Sequence, residues 1–92
     1  MNRDEIVTIL IETISGIQKL TGRPDEPILP TTKPLEDLED FDSLNAFEVT
    51  VEISEIIGRD IDVGIFGIFP NKKVPKKITI EDIAENIFQK LN

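Results

Sequence analysis

The tripeptide Asp42-Ser43-Leu44 places a serine hydroxyl directly ahead of a helix-compatible run that stops at Gly58. Ser or Asp before a periodic apolar run marks a helix N-terminus, and Gly behind it marks the end. Ser43 is therefore expected at or next to the N-cap, at the positive end of the helix dipole. Taken by itself, a serine in that place is a cap worth about 1 kcal/mol and does no chemistry. As a nucleophile it would need a base, and the chain contains neither His nor Cys. Any covalent change at Ser43 must then be catalysed by another protein. Glu36, Asp37, Glu39, Asp40 and Asp42 crowd the approach to the serine and could be paired for acid–base work. They sit on an acidic turn with no sign of an apolar pocket to raise a carboxyl pKa, so no catalytic residue is assigned. The calcium-loop pattern is absent, no metal ligand set is assigned, and Gly64-Ile65-Phe66-Gly67 is too short and too apolar to cradle a phosphate.

Stepping about 100° per residue from Leu44 gives the helix that would carry Ser43 two apolar stripes. Ala46, Val49, Ile53, Ile56 and Ile57 form one, while Leu44, Phe47 and Val51 form another on nearly the opposite side. Between them runs an acidic ridge of Glu48, Glu52 and Glu55, with Asn45 at its start. Like charges at i,i+3 and i,i+4 cost roughly 0.2–0.5 kcal/mol per pair in an isolated helix, so a helix selected for stability alone would carry a Lys or Arg here. The ridge is either a solvated face or, with Leu44 and Val51 beside it, a docking strip of apolar anchors rimmed by acid.

Asp42-Ser43-Leu44, a Glu five residues after the serine, and an acidic–apolar helix ending Ile57-Gly58 together resemble the centre of an acyl carrier protein. Leu35-Glu36-Asp37-Leu38 resembles the approach to that motif, and the run Ile78 to Ile87 resembles the family's last helix. The resemblance implies an all-α, acyl-carrier-protein-like four-helix bundle. It implies that Ser43, with Asp42 as its motif neighbour, carries a covalent 4′-phosphopantetheine, and that Leu44, Glu48, Val51, Glu52 and Glu55 meet partner proteins. The implied function is to hold acyl intermediates as thioesters and deliver them to enzymes of fatty-acid, polyketide or related biosynthesis. The implied partners are a phosphopantetheinyl transferase and acyl-transferring or acyl-activating enzymes with basic docking surfaces. Asn45 stands where many members have an acid, which implies a specialised set of partners. Two alternatives stay open: a peptidyl or aminoacyl carrier, and an unmodified helical interaction module in which Ser43 is only a cap.

Composition sets the frame for these readings. Ninety-two residues suit one small domain, 1–92, with a modest core. Eighteen acidic against ten basic residues give a net charge of −8, which argues against nucleic acid and for basic protein partners. Without Cys there is no disulfide framework, and a thioester would need a thiol imported on a prosthetic arm. No basic-then-apolar leader and no membrane-length apolar run is visible, so the expectation is a monomeric cytoplasmic protein, not inserted in a membrane and not itself an enzyme.

The remaining elements follow from spacing and caps. Ile6, Ile9, Leu10, Ile14 (or Thr13), Ile17 and Leu20 predict a first helix over about 3–20, with Asp4 and Glu5 in its first turn, Lys19 in its last and Gly22 ending it. The four prolines between Arg23 and Pro34 predict an extended loop pinned by Ile28 and Leu29, then a short turn with Leu35 and Leu38 inward. Residues 60–77 predict a long irregular segment, where the resembled family has a shorter acidic connector and a small third helix. Its Ile65, Phe66, Ile68 and Phe69 are expected to bend across the open end of the bundle, completing the core and lining space for an acyl chain. The competing reading is an exposed docking patch. Lys72, Lys73, Lys76 and Lys77 form a basic cluster that is solvated, folds back on acid, or meets an anionic partner. Thr79 and Asp82 predict a capping box for a last helix that buries Ile80, Ile83, Ala84, Ile87, Phe88 and Leu91.

Overall fold

The computed structural model describes residues 1–22, 26–71, 73 and 77–91, and all regular structure among them is helical. Helix α1 (Arg3–Leu20) starts from a capping box. The Asn2 side chain accepts from the Glu5 amide at 2.8 Å, and the Glu5 carboxylate accepts from the Asn2 amide at 3.0 Å. The short α2 (Pro34–Asp37) begins on proline, whose missing N–H is no loss at a first helical position. Helix α3 (Ser43–Ile57) ends on Gly58, whose φ of 75° is open to glycine at little cost, and its amide donates to the Ser54 carbonyl. A single 3-10 turn (Val63–Phe66) follows, and α4 (Ile80–Leu91) closes the order.

Helix α1 packs against α4 and α3, and the 3-10 turn packs against α3 and α4. The core joins Ile6, Leu10 and Ile14 of α1 to Ala46, Val49 and Ile53 of α3 and to Ile80, Ile83 and Ile87 of α4, all with no exposed surface. Ile65 and Phe66 enter the same cluster at 1% exposure, and the Phe66 ring lies 6.2 Å from that of Phe41. The capping box read at Thr79 and Asp82 is present in both directions, at 3.1 and 3.2 Å. Two further amides of that helix start, Ile80 and Glu81, donate to the carbonyls of Thr32 and Pro30. The loop before α2 thus supplies acceptors to donors that a helix cannot satisfy internally.

Several side chains stand elsewhere than spacing predicts. Leu20 continues the periodicity of α1 but lies in its last turn, beyond the packed length, and is 88% exposed. Ile56 fails in the same way at the end of α3, at 54%. Of the pair expected to pin the proline loop, Ile28 packs on the core while Leu29 turns out to solvent. Pro34 belongs to α2, not to the loop. The segment expected to be irregular contains the 3-10 turn, capped by Asp62 accepting from the Gly64 amide at 2.8 Å and closed by Gly67 at φ 80°. Ile65 and Phe66 complete the core as expected, but Phe69 is 41% exposed. Pro24, and Lys72 and Lys76 of the basic cluster, lie outside the described residues; Lys77 lies 3.8 Å from Glu36.

Candidate functional site

Ser43 is the first residue of α3, and Asp42 is its cap. Asp42 Oδ1 accepts from the amides of Leu44 at 3.0 Å and Asn45 at 3.2 Å, and Asn45 Oδ1 accepts from the Asp42 amide at 3.1 Å. This is a capping box with Asp and Asn in place of the usual Ser or Thr and Glu or Gln. The cap reading of Ser43 is therefore superseded. Its side chain is exposed and holds no hydrogen bond to a described residue. The same bonds occupy the amides of Leu44 and Asn45, so neither is open to an anion at the serine, although the positive end of the helix dipole remains.

The hydroxyl is exposed while its backbone is held from both sides. Upstream, Leu38 and Phe41 are buried at 6% and 5%, and Asp40 makes the turn between them at φ 60°, a conformation that Asp tolerates. Downstream, Asn45 and Ala46 are buried. Asp42, Ser43 and Leu44 are thus an exposed triplet strung between buried anchors. Asn45 in particular could not be read from the sequence as a structural residue. Its visible signal was only its place three residues after a capping Asp.

The outer face of α3 carries the predicted docking residues together. Leu44, Phe47 and Val51 are 66%, 56% and 45% exposed, and Glu48, Glu52 and Glu55 are exposed beside them. No ion pair among the described residues involves these three glutamates. Phe47, the largest apolar group on this face, is exposed beside Leu44 and Val51. At the far end of α3, Ser54 Oγ accepts from the Ile61 amide at 3.2 Å and donates to the Thr50 carbonyl at 2.9 Å. That contact fastens the chain after Gly58 to the helix and fixes where the 3-10 turn begins, a role with no motif to announce it.

Electrostatic perturbation lies away from this face. Arg3 of α1 pairs with Glu85 of α4 and lies over the Phe88 ring at 4.7 Å. The hydrogen bond to Glu85 raises the Arg3 pKa, and the same bond, with help from Gln89, lowers that of Glu85. Both groups are solvent-facing, so the pair joins α1 to α4 only as an exposed clamp that water screens. Among the described residues no group of His, Cys, Asp and Glu is arranged to hold a metal ion, and no helix is long and apolar enough to cross a membrane. Comparison with protein-family models, curated proteins and solved structures gives no significant match to this chain.

Proposed function

We propose that this chain is a carrier of the acyl-carrier-protein kind, with 4′-phosphopantetheine attached through Ser43 Oγ. The observation that carries the reading is the division of labour at the start of α3: Asp42 and Asn45 do the capping, and the neighbouring serine is left exposed and unbonded on a rigid backbone. An anchor for a covalent group needs that combination, since a hydroxyl engaged in a cap would cost helix stability when esterified. Attachment forms the Oγ–phosphorus bond and breaks the pyrophosphate link of coenzyme A, releasing adenosine 3′,5′-bisphosphate. The hydroxyl proton goes to a base on the transferase, because this chain has no His. The group supplies a thiol on which acyl units are held as thioesters. The all-helical bundle supports the reading, and the finer four-helix carrier architecture is part of the proposal.

The chain's own contribution is recognition. Leu44, Phe47 and Val51 offer apolar contact within reach of Ser43, and Glu48, Glu52 and Glu55 steer basic partner surfaces toward it. Incubation with coenzyme A, magnesium and a broad-specificity phosphopantetheinyl transferase should add one arm by intact mass, and none to Ser43→Ala. Reversing Glu48 and Glu55 to Lys should slow that transfer, most at low ionic strength. A wild-type chain left unmodified by several transferases would make it a helical interaction module instead. Loading by acyl-activating as opposed to amino-acid-activating enzymes identifies the cargo class.

A further inference from the structure

A groove of about 480 Å3 opens between α1 and α3. Two rows at i, i+4, i+8 line it: Glu12, Gly16 and Leu20 on α1, and Glu48, Glu52 and Ile56 on α3. That spacing keeps each row on one helix face. Leu20 and Ile56, the two residues that leave the core despite their periodicity, are both here, 88% and 54% exposed. A Cβ at Gly16 would meet nothing within 4 Å, so α1 has a gap in its wall where another chain can approach closely. None of the three glutamates is in an ion pair with a described residue, and Lys19 of α1 does not line the groove.

We propose that this groove docks an amphipathic helix of a partner protein, with Lys or Arg on its polar flank and aliphatic side chains on its inner face. Charge decides the occupant. Three carboxylates with no ion-pair partner among the described residues, on a chain of net charge −8, repel acidic and neutralise basic partners, and the exposed Leu20 and Ile56 in the same groove need an apolar face to cover them. A second copy of this chain fits poorly, since it would bring the same three glutamates and the same net charge. The groove extends recognition from the outer face of α3 onto α1, and it does not depend on any group at Ser43.

The test uses the 15N-labelled Ser43→Ala chain, so that failure here and failure of the carrier reading are separate results. Two synthetic peptides of identical Lys/Leu composition serve as probes, one patterned as an amphipathic helix and one scrambled. The patterned peptide should bind about tenfold more tightly, a difference of 1.4 kcal/mol by the standard conversion. Its amide shifts should concentrate at 12–20 and 48–56. Glu12→Gln with Glu52→Gln, and separately Gly16→Leu to fill the gap, should each remove most of that preference while the circular dichroism stays helical. Equal binding of the two peptides, shifts confined to Leu44, Phe47 and Val51, or self-association without peptide would each overturn the proposal.

Discussion

Replacing Asp42 and Ser43 one at a time separates structure from chemistry at the start of α3. Asp42→Ala removes the carboxylate that accepts from the amides of Leu44 and Asn45, while the Asp42 backbone amide that donates to Asn45 Oδ1 remains. Loss of a cap costs about 0.5–2 kcal/mol, and because Asp42 is exposed, water can take over part of the bonding, which places the expectation near 1 kcal/mol. In a domain of this size that lowers Tm by roughly 4–8 °C. Asp42→Asn keeps the acceptor and loses only the charge at the helix dipole, about 0.3–1 kcal/mol. Ser43→Ala removes a side chain with no hydrogen bond to a described residue and installs a better helix former, so stability should hold or rise by up to about 0.5 kcal/mol. Thermal and urea denaturation followed by circular dichroism measure all three. A Ser43→Ala loss equal to that of Asp42→Ala would return Ser43 to capping and remove the observation on which the carrier reading rests.

Phe66→Ala, at a ring 1% exposed and packed near Phe41, should cost about 3–5 kcal/mol by urea denaturation, whereas Phe69→Ala, 41% exposed, should cost about 1–2 kcal/mol. Equal losses would mean that Phe66 is not the buried ring that completes the core. The Arg3–Glu85 clamp gives a pH effect with a definite sign. Glu85 has its pKa lowered in the fold, so its contribution is present at neutral pH and fades as the pH falls through that lowered value. Arg3→Gln should move the Glu85 titration, followed by NMR, back up toward an ordinary carboxylate. An unmoved midpoint would show that the pair does not persist in solution.

The helices were legible because their punctuation is local. Thr79 with Asp82, and Asp42 at one end of α3 with Gly58 at the other, name their own boundaries, and the i, i+3, i+4 pattern names the faces that pack. What escaped depends on where an element runs out of neighbours. Leu20 and Ile56 obey the period of their helices, but burial also requires a side chain packed over them, and in the open groove between α1 and α3 they stay exposed. Asn45 read as a missing acid because its buried hydrogen bond to Asp42 is a matter of geometry that no composition reveals. The 3-10 turn was hidden by Gly64 and Gly67, which disfavour a long helix but permit one short turn capped by Asp62.

The arrangement around Ser43 also bears on the carrier reading proposed above. A serine that caps its helix contributes its oxygen as an acceptor, and turning that oxygen into a phosphodiester would weaken the cap and load charge and bulk onto the most constrained point of the chain. Here the cap belongs to Asp42, its reciprocal bond comes from the buried Asn45, and the backbone before it is anchored by Phe41. Nothing in that set passes through the serine side chain. The cap is therefore independent of the serine side chain, which is what the carrier reading requires. At Asn45 the amide oxygen accepts from the Asp42 backbone without adding charge beside the capping carboxylate.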